Sequence, residues 1–465
     1  MDDIVALLSC LIRLLPKTTR RQMSHVLFGM ICLSGKVTML NVSRWTTRGG
    51  SYRSIERCYE AEVSWSKVHW QFFCTHIKVA KRHYLMVGDE VVVGKAGKST
   101  YGVGRHYSSI AGQVIPSVAF FTLSLIDTLQ RSSHPIAIEQ CLTVPKPPAA
   151  AAVGSEAVKR GRGRPKGSTN KPKTAVLNPE LQHILSMTQQ VLALVQQEID
   201  LTHWVLDGHF GNAPSVQMVR QCGLHLISKL RHDAALYLPY SGPYAGRGPV
   251  QRYGDKLNYE ALPNDALRQS TIEDEVRTDI YQMQVLHKDF AEPLNVVIIT
   301  KTKLKTGKRG QVILFSTDLT LAFDLIIDYY SLRFQIEFNF RDAKQFWGLD
   351  SFMNVKAQTV TNAVNIAFLM VNLSAVLIQP FRIHQPEFRE FHEIKPSIPQ
   401  PLFAHGREGE SSDKRYRRPL KVPHPFVCEG FRVEDFNLWN HLTRPVFPWP
   451  GFPCGRYFLG FTLLL

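Results

Sequence analysis

The spacing of apolar and polar residues changes character several times along the chain, and each change predicts an element. Residues 1–78 carry apolar positions at helical spacing and read as short helices with little strand character. The run HYLMVGDE (83–90) is apolar until Asp89 and Glu90 and reads as a buried strand, with Glu90 alternating to the opposite face. Glycines then suit turns, and QVIPSVAFFTLSLID (113–127) supplies further strand, so this part predicts an antiparallel meander. Residues 178–199 return to helical periodicity behind Asn178 as a cap. A strand ending at Asp207, a glycine turn, a short helix with proline near its start and a strand over 224–231 follow.

Residues 232–318 are first rich in Gly, Pro and Tyr and then alternate as three strands, with a basic hairpin at 301–310. The pattern predicts a β-rich insertion. A single helix is expected over 325–349, capped by Thr317 or Asp318. Within it Tyr330, Arg333, Glu337 and Lys344 lie at offsets that fall at roughly 0, −60, −20 and −40° around the helix. Leu332, Phe334, Ile336, Phe338 and Phe340 make the other sides apolar, as in a buried helix. A carboxylate and cations on a buried face are costly unless something charged binds there. The plainer alternative is an ion pair between Arg333 and Glu337, four residues apart. For Asp89 the plain alternative is an ion pair to Lys95 or Lys98.

The spacing tyrosine-x2-arginine-x3-glutamate-x6-lysine resembles the signature of a large group of insertion-sequence transposases of the DDE class. The two strand-borne aspartates precede it in the expected order, and Gly208 and Phe210 follow Asp207 as an aromatic and a glycine do in that family. The resemblance covers roughly residues 30–375. It implies an α/β fold: a ribonuclease H-like mixed sheet with flanking helices, a β-rich insertion before the last catalytic helix and a helical N-terminal domain. In that fold the first and fourth strands are neighbours, which would bring Asp89 and Asp207 together although they are 118 positions apart. The resemblance further implies that Asp89, Asp207 and Glu337 hold two Mg²⁺ or Mn²⁺ ions about 3.5–4 Å apart across a scissile phosphate. Tyr330, Arg333 and Lys344 would then bind phosphates of double-stranded DNA. Terminal inverted repeats and target DNA are the implied partners, with a homodimer on DNA. Many members carry tryptophan after the arginine; here Phe334 can stack but donates no hydrogen bond. His209 is not required by this chemistry.

Composition narrows the partner class. Lys and Arg outnumber Asp and Glu 55 to 39, a net charge of +16 with a pI near 9.5, which suggests a polyanionic partner. In SRWTTRGGSYRSIERCYE (43–60), Arg53 and Arg57 lie one turn apart on a helix suited to phosphates or base edges; solvated arginines on a helical cap fit the same pattern. Between 143 and 175 the composition turns to Pro, Gly, Ala and cations, the mark of a flexible linker. There RGRGRPKG resembles an AT-hook, with Arg160, Arg162, Arg164 and Lys166 suited to a narrow minor groove or to phosphates without preference. The eight cysteines show no zinc-ligand spacing and read as reduced thiols. The apolar run 363–378 is short for a membrane span and contains Asn365 and Asn372. These features predict a soluble, intracellular protein, and the resemblance implies a cytoplasmic, nucleoid-associated bacterial one. Residues 380–465 hold 12 of the 27 prolines, and the resemblance fades there.

The expected organisation is therefore a helical DNA-binding region (1–78), a first part of the catalytic core (79–231), the insertion (232–318), the rest of the core (319–378) and a divergent tail (379–465). Two rival readings remain at this point. One is a ribonuclease H-like nuclease without strand transfer, and the other is a decayed transposase that only binds DNA.

Overall fold

The apolar runs of the meander become long strands because β-branched and aromatic residues dominate them. In the computed structural model, which describes residues 2–46, 50–108, 111–142, 177–244, 246 and 248–384, β1 (Tyr84–Gly94) pairs antiparallel with β3 (Gln113–Asp127) along its whole length. Both β2 (Gly104–Ser108) and β4 (Ser132–Cys141) pair with β3. Strand β1 does not end at Asp89 and Glu90 but continues to Gly94, because Val91 and Val93 have a second apolar layer to enter. The basic linker lies outside the described residues, as does the tail from 385 on. Residues 1–107 and the described residues from 114 form one compact unit.

Among the described residues, five α-helices precede the sheet. They are α1 (Asp2–Leu7), α2 (Lys17–Cys32), α3 (Met39–Arg44), α4 (Tyr52–Glu60) and α5 (Trp65–His76), as the pattern over 1–78 predicts. Side chains close the first turns of α3 and α4: Thr38 accepts from Asn41 N, and Ser51 from Ser54 N. Asn178 does the same for α6 (Pro179–Val195), accepting from Leu181 N at 2.7 Å. Then come β5 (His203–Leu206), α7 (Ala213–Gln221) capped by Asn212, and β6 (His225–Leu230).

Strand β5 pairs parallel with β1 on one side and with β6 on the other. The central order is thus β4-β3-β1-β5-β6, three antiparallel-linked strands followed by two parallel ones. This is the ribonuclease H-like mixed sheet, and its flanking helices make the fold α/β. The strands of the insertion are β7 (Leu236–Pro239), β8 (Tyr253–Lys256), β9 (Leu267–Glu273), β10 (Val276–His287), β11 (Leu294–Lys303) and β12 (Arg309–Ser316). They extend the same sheet, because β12 pairs antiparallel with the free edge of β6.

The last helices are α8 (Phe323–Leu332), α9 (Gln335–Gln345) and α10 (Ala357–His384). Neither Thr317 nor Asp318 caps α8. Thr317 Oγ1 accepts from Leu226 N, and Asp318 Oδ1 accepts from Thr320 N, so both hold the loop before the helix. Helix α10 is long and apolar enough over Ala357–Gln379 to cross a membrane, unlike the shorter run expected, yet 78% of its most apolar window is buried inside the protein. Its asparagines explain why. Asn362 Nδ2 donates to Tyr59 O and Ala61 O, both at 2.7 Å, and its Oδ1 accepts from Trp65 Nε1 at 2.7 Å. Asn372 Nδ2 donates to Pro135 O at 2.8 Å. A lipid-facing helix has no use for such groups, whereas a core helix uses them to fix its neighbours.

Two apolar cores result. One joins the amino-terminal helices, α9 and α10 to Val91, Val93, Val118 and Phe120 of the sheet. The other places α6 and α7 against Met86, Phe121, Trp204 and the strands of the insertion. Asp89 lies between them in sequence, where β1 passes from one core to the other.

Candidate active site

Parallel pairing of β1 with β5 sets Gly88 opposite Leu206, so the next residues, Asp89 and Asp207, emerge side by side at the end of β5. Gly88 is what allows the strands and β3 to close here: a Cβ on it would lie 2.8 Å from Phe121 Cζ and 3.1 Å from Leu206 Cδ2. Each aspartate is held by its own backbone. Asp89 Oδ1 accepts from Glu90 N at 2.8 Å, and Asp207 Oδ1 from His209 N at 3.0 Å. Ser228 Oγ on β6 donates to Asp207 O at 2.6 Å.

The third side comes from α8 and α9, which are not one helix. The ladder shortens at Arg333–Phe334, where Phe334 N bonds to Ser331 O, Ile336 N to Arg333 O and Glu337 N to Phe334 O, each a three-residue step. Both residues keep right-handed helical backbone angles. The turn tightens without reversing, so Tyr330, Arg333 and Glu337 still face the aspartates. Nor is the helix buried all round: Leu332 and Ile336 are fully buried, but Phe338 is exposed and Phe334 meets it edge to face.

Arg333 joins the three sides. Its Nη1 lies 2.7 Å from Asp89 Oδ2 and its Nη2 3.4 Å from Glu337 Oε1. Asp89 is therefore paired with Arg333 and not with Lys95 or Lys98. The i,i+4 pair of Arg333 and Glu337 is present, but as one arm of a fork that also holds the first aspartate. Arg333 Nε is buried with no hydrogen-bond partner among the described residues.

Burial raises the Asp89 carboxyl above its ordinary range, with Arg333 pulling it down and Asp207 pushing it up. Burial likewise raises Glu337 to about 7, against the pull of Arg333 and with Asp89 and Asp207 adding to the push. Tyr330, raised to about 12 by burial, feels the same Arg333, Asp207 and Asp89. The three carboxylates thus share one electrostatic site with one guanidinium. Such a set gains from an added cation, since Asp89 and Asp207 both push Glu337 up and Asp207 pushes Asp89 up. Among the described residues no three His, Cys, Asp or Glu side chains are gathered to hold a metal ion, which differs from the expected ligand set; Arg333 lies between Asp89 and Glu337. The oxygen-only donors, the upward shifts and the arginine serving as counter-charge fit a hard divalent cation.

Lys344, on the same side of α9, reaches β1 further on and donates to Val92 O at 2.9 Å. Arg53 and Arg57 lie on the exposed side of α4, whose other side buries Ile55, Cys58 and Tyr59; Arg53 is tied to Glu56 at 2.7 Å. Arg160, Arg162, Arg164 and Lys166 lie outside the described residues. Glu90 does turn to the other face of β1, where burial raises it and Glu180 and Asp89 add to the effect. His209 points away from the carboxylates, 4.0 Å from Glu180. Lys95, which the sequence offers only as an ion-pair partner for Asp89, is half-buried just beyond β1.

A family model described as DDE superfamily endonuclease matches residues 10–289 of the chain. The matched span is well over half of the 465 residues; it includes Asp89 and Asp207 and stops before Glu337. No curated protein matches.

Proposed function

The chain belongs to the DDE superfamily of endonucleases, and we propose that within it the protein is a DNA transposase that cuts at terminal inverted repeats and transfers the freed 3′ end to target DNA. The observation that carries this reading is the placing of Asp89 and Asp207 on parallel neighbouring strands, with Arg333 bridging Asp89 to Glu337. The spacing of Tyr330, Arg333, Glu337 and Lys344 supports the narrower assignment to the insertion-sequence group.

Asp89, Asp207 and Glu337 would hold Mg²⁺ or Mn²⁺, which when bound activates a water and stabilises the departing 3′ oxygen. The remaining work falls to the chain itself. The backbone N–H groups of Glu90 and His209 fix one oxygen of each aspartate, and Arg333 holds the other oxygen of Asp89. Arg333 balances the carboxylates in the free protein. Once another cation takes over that balance, its fork is free to bind a phosphate beside the cut. Buried Tyr330 supplies a neutral hydroxyl next to it. Lys344 adds a point charge further along β1. Arg53, Arg57 and the basic linker with Arg160, Arg162, Arg164 and Lys166 would bind DNA away from the cut, in a homodimer that joins two ends in the bacterial cytoplasm.

The test is Mg²⁺-dependent nicking of a duplex carrying the element's own terminal repeat, with wild type beside Glu337→Ala. Nicking at the repeat boundary, abolished in the variant while DNA binding persists, is the expected outcome. Wild-type binding without any cleavage would overturn the catalytic reading and leave a DNA-binding protein.

A further inference from the structure

Beyond the four residues of the signature spacing, a second ammonium group is held just past the end of β1. Lys95 follows Gly94 directly, and its backbone N–H donates to Pro116 O at 2.9 Å, so its position is fixed by the sheet. Its Nζ donates to Phe352 O at 2.9 Å and lies 3.3 Å from the centroid of the Phe352 ring. Lys344 Nζ is pinned in the same manner to Val92 O. Both lysines share one acid, Asp350, whose carboxyl is raised by burial and drawn down by Lys344 and then Lys95. Neither lysine has a salt bridge within 4 Å among the described residues. Two ammonium groups against the one carboxylate of Asp350 leave a local positive excess.

Position gives that excess a use. At a strand rise of ~3.3 Å per residue, Val92 lies on the order of 10 Å and Lys95 on the order of 20 Å beyond Asp89. Lys344 and Lys95 therefore continue the line of β1 away from the carboxylates. A lysine kept only for packing would be expected to carry its charge into solvent. Lys95 is held half-buried instead, and burial draws its ammonium down to about 8 against the pull of Asp350. An arriving anion would reverse that penalty.

We infer that Lys95, just beyond the end of β1, is a DNA-phosphate contact in addition to Lys344. The inference rests on the functional reading above, and the experiment separates the two. Binding of a fluorescein-labelled random-sequence duplex of about 25 base pairs is measured against NaCl concentration for wild type, Lys95→Met and Lys95→Arg. Losing one phosphate contact lowers the steepness of log K against log[salt] by about 0.9. Lys95→Met is expected to show that drop and several-fold weaker binding at low salt, whereas Lys95→Arg keeps the wild-type slope. Amine labelling of the wild-type protein, read by mass spectrometry, needs no variant: Lys95 is expected to be protected by the duplex while exposed Lys81, at the other end of β1, is not. Wild-type binding with an unchanged slope in Lys95→Met, or labelling of Lys95 that DNA leaves undiminished, overturns this inference alone. No salt-dependent binding by wild type overturns it together with the functional reading.

Discussion

Replacing Glu337 by glutamine is expected to stabilise the metal-free protein, and only above the acidic range. The Glu337 carboxyl is raised from 4.5 to about 7, by burial first and by Asp89 and Asp207 as well. The folded state therefore holds a proton there that the unfolded chain gives up. Stability from this group is fully present below about 4.5 and is lost as pH rises through about 7. A shift of that size corresponds to about 3 kcal/mol at pH 8. Because water reaches 30% of the side chain, roughly 2–3 kcal/mol is the better figure. Glutamine has no such loss, and Arg333 retains Asp89 as its partner at 2.7 Å.

Urea denaturation of both proteins in EDTA, at pH 4.5 and pH 8, measures the difference. The variant should match wild type at the lower pH and exceed it by about 2–3 kcal/mol at the higher one. Adding Mg²⁺ at pH 8 should then stabilise wild type much more than the variant, by about 2.7 kcal/mol at a hundred-fold excess over the dissociation constant. A variant less stable than wild type at pH 8 would refute the reasoning, since Glu337 would then be a stabilising partner of Arg333. An equal advantage at both pH values would refute it too, by removing the charge from the explanation.

Two further predictions concern the scaffold that aims these groups. Asn362→Ala strands Trp65 Nε1 and Tyr59 O, while Ala61 O keeps its bond from Gln358 Nε2; at about 1–3 kcal/mol for each buried group, a loss of about 2–5 kcal/mol is expected in urea denaturation. Gly88→Ala forces a Cβ to within 2.8 Å of Phe121 Cζ and should cost about 1–3 kcal/mol. The same substitution displaces Asp89 and should slow nicking more than a distant variant of equal stability, as activity assays on stability-matched proteins would reveal.

Much of this arrangement is legible in the sequence because it depends on local pattern. Apolar blocks of strand length, a proline-led helix behind Asn212 and the aspartates at the ends of two runs are local features, and they recur as β1, α7 and β5. Pairing is less local. That β12 docks on β6 and makes the insertion part of the core sheet depends on which edge is left open, and the strand pattern of 309–316 is the same for either outcome. The broken helix is illegible for a related reason. Residues 325–349 are periodic throughout, and Arg333 and Phe334 keep helical backbone angles; only the change to three-residue hydrogen bonds marks the break. The cap is illegible because Thr317 and Asp318 are good capping residues whose bonds go to β6 and to the loop.

The role of Arg333 is the part that spacing alone misstates, and it also explains why the carboxylates can coexist. On a helical wheel Arg333 and Glu337 are simply an i,i+4 pair, worth a few tenths of a kcal/mol at a surface. In the fold the same arginine is 15% exposed and reaches Asp89, which is 244 residues distant in sequence. Without a cation, the carboxyls of Asp89 and Glu337, already raised by burial, would be driven up further and would oppose folding. A guanidinium is suited to this place because its fork spans two carboxylates at once and it does not lose its charge. The proposed catalytic site is thus stable before its metal arrives because it carries its own cation, and that cation is a group able to bind DNA phosphate when displaced.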